Sequence, residues 1–193
     1  MSWSMSTLTD PTRPLLFLDT ETTGKDPSHS HLVSLSFQLD YDGKLYCAGD
    51  FVIRPEGFEI PTSSTEIHGI SHAYAMEYGA DCREIISLLS GFLTGHNPLV
   101  VGHNVDFDRR VIGAEADRFC DVLSWPDLFC TMRALTPLMN LSKPKGHGPK
   151  WPTLREAYTW MFPDHPSPRW HQSRTDMLAC REIFYEGRRR KIW

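Results

Sequence analysis

Leu15 to Leu18 is an unbroken apolar run that ends in Asp19-Thr-Glu-Thr-Thr-Gly24. A continuous run of this kind predicts a central strand buried on both faces, delivering polar groups at its end. His31–Asp40 alternates Leu32, Ser34 and Ser36 with Val33, Leu35 and Phe37, and Lys44–Arg54 is β-rich after the turn Tyr41-Asp42-Gly43. Together these segments predict a three-stranded meander. From Ser64 the spacing becomes helical. Asp81 with Glu84 three residues on predicts a capping box, followed by Ile85, Ile86, Leu88, Leu89, Phe92 and Leu93 on a helix that ends near Gly95. Pro98–Gly102 predicts a short buried strand, and Asn104 an N-cap for a helix through Arg110 and Ile112. Asp127–Thr131 is a fifth strand candidate, Ser142–Pro152 a Pro-, Gly- and Lys-rich loop, and helices are expected from Thr153 and from about Thr175 to Glu186. Alternating strands and helices in the second half predict an α/β domain. No internal repeat is evident.

A chain of 193 residues, 40% hydrophobic, suits one substantial core. The expected organisation is a flexible leader over 1–13, a single domain over 14–187 and a basic tail over 188–193, with Met5 offering a second start. No apolar run approaches the ~20 residues of a membrane span, and no secretory signal is visible, so a cytoplasmic protein is expected. Cys47, Cys82, Cys120, Cys130 and Cys180 are odd in number and form no CxxC pair, which argues against a zinc site and for idle thiols in a reducing compartment. The net charge of −4 looks unfavourable for gripping nucleic acid. Its distribution alters that picture, because residues 1–100 carry 5 Lys/Arg against 13 Asp/Glu, and residues 101–193 carry 15 against 11.

Asp19 and Glu21 are two apart on a strand, so their carboxylates share a face while Thr20 points away. Two adjacent carboxylates repel unless a cation lies between them, and oxygen donors suit Mg²⁺ or Mn²⁺. In Val101-Gly-His-Asn-Val-Asp-Phe-Asp108 a strand runs into a helix whose first turn carries Asp106 and Asp108. These lie about 200° apart around a helix, so one at most faces a shared site, and both also suit the positive helix N-terminus. In His171-Gln-Ser-Arg-Thr-Asp176, a helical first turn fixes Asp176 while His171 stays on the preceding loop, where an imidazole is free to act as a base.

These segments, in this order, closely resemble the DEDDh 3′→5′ exonucleases, the DnaQ-like family of the bacterial replicative polymerase's proofreading subunit. The resemblance spans roughly residues 14–186. It implies an RNase H-like fold, a five-stranded mixed sheet flanked by helices. Asp19 and Glu21 match the family's D-x-E, Asp108 the aspartate of H-N-x-x-F-D, and His171 and Asp176 its H-x4-D. The match favours Asp108 over Asp106. Ser173 departs from the alanine common two residues after the histidine.

The resemblance implies that Asp19, Glu21, Asp108 and Asp176 hold two divalent cations, Mg²⁺ or Mn²⁺, with His171 as general base. It implies release of nucleoside 5′-monophosphates from a nucleic-acid 3′ end, single-stranded by preference, alone or within a polymerase or repair complex. Ile67-His68-Gly69-Ile70 is similar to the family's H-G-I turn, and Thr22, Thr23, His68, Gly69, Ile70, Asn104 and Phe107 are the expected substrate contacts. Trp151-Pro-Thr-Leu154 is similar to the segment before the catalytic histidine, with Trp151 expected in the core rather than as a base-stacking platform. Lys143, Lys145 and Lys150 are loop cations within reach of phosphate, or simply solvated. The run Arg188–Lys191 would complement a helix C-terminus. DNA is the expected polymer, with an RNA exonuclease of the same family as the alternative. From other classes, LLFLDTETT approaches the D-x-D-x-T of aspartyl phosphatases, although Glu21 is the wrong carboxylate, and a silent nucleic-acid-binding module would share the fold.

Overall fold

The computed structural model describes residues 12–143 and 146–193; Met5, most of the expected leader and Lys145 lie outside the described residues. Five strands form one sheet: β1 (Leu15–Thr22), β2 (Leu32–Tyr41), β3 (Lys44–Val52), β4 (Leu99–Gly102) and β5 (Leu128–Cys130). Their order is β3-β2-β1-β4-β5. The β1–β2 and β2–β3 pairs are antiparallel, whereas β4 runs parallel to β1 and β5 parallel to β4, giving the expected mixed sheet. The meander is closed by a two-residue loop, Asp42 (φ 50°) and Gly43 (φ 71°), between the paired Tyr41 and Lys44. Positive φ at both loop residues matches the right-handed twist of the flanking strands.

Among the described residues seven helices follow: α1 (Thr62–His68), α2 (His72–Tyr78), α3 (Cys82–His96), α4 (Val105–Arg118), α5 (Thr131–Met139), α6 (Leu154–Met161) and α7 (Ser173–Arg189). On one face of the sheet Leu16, Leu18, Leu35, Phe37 and Leu39 meet Ile86, Leu89 and Leu93 of α3 and Val111 and Ile112 of α4. The other face is split. Leu15, Phe17, Leu99, Val101 and Phe129 meet Met177, Cys180 and Phe184 of α7, but the adjoining stripe on β2 is Ser34, Ser36, Gln38 and Asp40, all buried. The alternation along β2 therefore separates two covered faces, one apolar and one polar. Asp40 receives Gln38 Nε2 at 2.7 Å, Arg181 Nε at 2.7 Å and the Tyr185 hydroxyl at 2.8 Å.

Local chemistry departs from expectation at several helix ends. Asp81 caps α3 by accepting the Glu84 N–H at 3.0 Å, while the reciprocal box is formed by Thr153 and Glu156 at α6. Asn104 occupies the N-cap position of α4 in the left-handed region (φ 73°) and its side chain makes no capping bond; Asn tolerates this backbone, and its amide is left free for the cleft described below. α7 begins at Ser173, earlier than the spacing predicted, because the Asp176 N–H closes back on the Gln172 carbonyl at 2.9 Å. The helix also runs on through Arg189. Arg189 and Arg190 pair with Glu186, and Trp193 folds back to donate to the Phe184 carbonyl at 3.1 Å. A Cβ at Gly187 would overlap that indole, so close approach requires glycine there. Trp151 is 60% exposed rather than in the core: the chain ahead of it is loop, and α6 starts only at Leu154. All five cysteines are free. No described helix is long and apolar enough to cross a membrane.

Candidate active site

β1 carries Asp19 and Glu21 on the face that α7 covers, and the first turn of α7 supplies Asp176. One carboxylate oxygen from each of the three lies within 4.8 Å of the others. Asp176 Oδ2 accepts the His171 N–H at 3.2 Å, whereas its Oδ1 is buried with no hydrogen-bond partner. Thr20 points to the opposite face, as strand parity requires, and its hydroxyl donates to Asp108 Oδ1 at 2.7 Å. Asp108 is buried in the first turn of α4 and stands beside the three rather than among them. Asp106 turns away and pairs with Arg109 at 3.0 Å, so helical spacing separates the two aspartates as expected.

The electrostatics express this crowding. Burial, then Asp108, Asp176 and Glu21, hold the Asp19 carboxyl well above the usual carboxylate range. Glu21 is pushed up to about 8 by burial and by Asp176 and Asp108. Burial raises Asp108 to about 7 against the lowering effect of the Thr20 hydroxyl. It raises Asp176 to about 6 against the donation from the His171 backbone. Acceptor-only groups in mutual repulsion, one with a buried oxygen lacking any donor, form the donor set of a hard divalent cation. The residues present fit such an ion.

A cleft of about 790 Å³ opens beside the carboxylates, lined by Glu21, Thr22, Thr23, Ile67, His68, Asn104, Phe107 and His171, with Lys25, Ser63 and Ser64 at its margin. His171 is exposed, with its backbone in the left-handed region (φ 64°). His68 ends α1, and Gly69 (φ 79°) closes the helix, a backbone state that favours glycine. Gly69 and Ile70 do not line the cleft; Ile70 packs against the Val33, Ile60 and Ala75 cluster. His68 Nδ1 accepts the Ile70 N–H at 3.1 Å, which leaves the ring proton on Nε2, buried and without a partner. Thr22 and Thr23 face the cleft, yet their hydroxyls are engaged in the turn, with the Gly24 carbonyl at 2.6 Å and the His31 N–H at 2.9 Å.

Sequence spacing did not single out His103. Its Nε2 donates to the Pro152 carbonyl at 2.9 Å, so its Nδ1 accepts the Thr131 hydroxyl at 2.9 Å. Burial lowers its pKa to about 4, and the neutral ring ties the end of β4 to the start of α6. Of the loop cations, Lys150 is held by Glu156 at 2.6 Å, and Lys143 donates to the His147 carbonyl at 3.3 Å.

No family model matches the chain. The PolC-type DNA polymerase III of Thermotoga petrophila is 29% identical over 141 residues, covering 68% of this chain and 10% of the polymerase. Escherichia coli exonuclease I in complex with a dT13 oligonucleotide superposes with a TM-score of 0.77 at 16% identity, over 93% of this chain and 42% of that one. Exonuclease I from Methylocaldum szegediense gives 0.74 at 18% identity, over 93% and 41%. The chain spans about two fifths of the exonuclease I chains and a tenth of the polymerase. With the β3-β2-β1-β4-β5 order, the parallel β1–β4–β5 half and the flanking helices, these superpositions give the chain the RNase H-like fold seen in the exonuclease I structures.

Proposed function

We propose that this chain is a metal-dependent 3′→5′ exonuclease that releases nucleoside 5′-monophosphates from single-stranded DNA ends. The observation that carries this reading is the convergence of Asp19, Glu21 and Asp176 within 4.8 Å, with Asp176 Oδ1 buried and unpartnered. Asp19, Glu21 and Asp176 would hold divalent cations, with Asp108 as a further carboxylate beside them. Mg²⁺ or Mn²⁺ bound there would supply Lewis-acid stabilisation of the charge that grows on the phosphoryl oxygens. His171, exposed at the mouth of the cleft, would take the proton of the attacking water. Phe107 and Ile67 offer apolar faces to a terminal base, and Asn104 and the unpartnered His68 Nε2–H offer hydrogen bonds to its nucleotide.

The phosphatase alternative has the wrong second carboxylate in Glu21, and the fold matches exonuclease I instead. The test is incubation of 5′-labelled DNA and RNA oligonucleotides, single- and double-stranded, with Mg²⁺ or Mn²⁺. The expected result is a 3′-shortening ladder on single-stranded DNA, lost on Asp19→Asn. A ladder on RNA alone would assign the other polymer. Intact oligonucleotides under every condition would overturn the nuclease reading in favour of a binding module.

A further inference from the structure

Ser173, the first residue of α7, lies between His171 and Asp176. Its buried hydroxyl is 2.9 Å from Ser34 Oγ and 2.7 Å from Ser36 Oγ. Ser36 in turn donates to Asp50 Oδ1 on β3 at 2.7 Å. Each hydroxyl has one proton, and a carboxylate can only accept. The Ser36 proton is therefore committed to Asp50, the Ser173 proton must go to Ser36, and Ser34 must donate to Ser173. One exposed carboxylate thus orients a chain of three hydroxyls that passes through the first residue of α7 and ends at Ser34.

The register adds a second observation. Ser34 and Ser36 are the direct cross-strand partners of Glu21 and Asp19, and opposite residues of an antiparallel pair project on one face. The two serines therefore sit beside the carboxylates on the face that α7 covers, with the Ser36 proton directed to Asp50 on β3 and the Ser34 proton to Ser173.

We infer that Ser173 is a positioning residue, held by the Asp50–Ser36–Ser173–Ser34 chain, that fixes the start of α7 so that Asp176 and His171 meet Asp19 and Glu21. The inference rests on the cation-site reading above. An alanine at 173 would suffice for packing volume. Here it would leave the buried Ser34 hydroxyl without its partner and Ser36 bonded to Asp50 alone, which is why the small-for-small exchange is not neutral in this chain.

The test is Mn²⁺ binding by calorimetry, with steady-state kinetics on a single-stranded oligonucleotide, for the wild type and for Ser173→Ala, Asp50→Ala and Asp50→Asn. Asp50→Ala is on the surface and carries the test if Ser173→Ala does not fold. Ser173→Ala and Asp50→Ala are expected to weaken Mn²⁺ binding about tenfold, as loss of a ligand-orienting partner does, and to lower kcat with KM unchanged. Asp50→Asn, whose side-chain carbonyl can still accept from Ser36, is expected to behave like the wild type. Wild-type Mn²⁺ affinity in both alanine variants, or Asp50→Asn as weak as Asp50→Ala, would overturn the inference while leaving the metal site intact. Absence of Mn²⁺ binding by the wild type would instead refute the cation site, and the inference with it.

Discussion

The two faces of β2 are both buried, yet they hold their helices by different physics. Leu35, Phe37 and Leu39 meet α3 and α4 through apolar packing alone, whereas Ser34, Ser36 and Asp40 meet α7 through Ser173, Arg181 and Tyr185. Apolar burial is strong but non-directional, so it stabilises without fixing register to a fraction of an ångström. Hydrogen bonds and a buried ion pair contribute less net stability and much more geometry. The helix that carries Asp176 packs on β1, β4 and β5 through apolar side chains but meets β2 by polar contacts. Stability and precision are thereby assigned to opposite sides of one strand.

The largest effect expected from breaking this division is on the apolar side. Phe37→Ala should cost about 3–5 kcal/mol, from lost transfer energy plus a cavity, while the protein that remains folded keeps wild-type Mn²⁺ affinity; chemical denaturation and calorimetry on one sample check both. On the polar side, Arg181→Ala removes the cation beside Asp40, whose side chain is fully buried. The cost should be about 2–3 kcal/mol, less than the full value for an orphaned buried charge because Tyr185 and Gln38 remain as donors. The Asp40→Asn, Arg181→Met double variant should recover part of it, a coupling that a double-mutant cycle measures.

A smaller effect separates the cluster from its surroundings. Carboxyls whose pKa is higher folded than unfolded bind protons more tightly in the native state, so metal-free stability should fall as pH rises. The window opens near ~4, the unfolded value, and extends through Asp176 at about 6, Asp108 at about 7 and Glu21 at about 8. Thermal melts between pH 4 and 9 with chelator check the sign. Asp19→Asn should flatten that slope and raise the metal-free Tm at pH 8 by about 2–4 °C, equivalent to about 1 kcal/mol in a chain of this size.

Much of the site was legible in the sequence because strand and helix periods decide it. Parity placed Asp19 and Glu21 together with Thr20 opposed, and helical spacing divided Asp108 from Asp106. What stayed hidden depends on partners distant in the chain. The alternation along β2 does not reveal that its polar face is covered, because the covering residues, Ser173, Arg181 and Tyr185, lie more than a hundred positions on. Trp151 is exposed where its hydrophobicity suggests the core, because hydrophobicity says nothing about which side of a loop faces solvent. Asn104 met its expected place but not its role, since a left-handed backbone there turns the amide away from the helix N-terminus. The engagement of Asp108 by Thr20 likewise joins residues 88 positions apart in the chain.

Relief of the carboxylates' mutual repulsion by a divalent cation is tested most directly by one pair of thermal melts at pH 8. At an Mn²⁺ concentration about 100 times its Kd, the wild type should gain about 2.7 kcal/mol, a Tm rise of roughly 5–10 °C. Asp176→Asn should begin higher than the wild type without metal and gain little on its addition. A wild type that does not respond to Mn²⁺, or an Asp176→Asn variant that rises as much as the wild type, would contradict it.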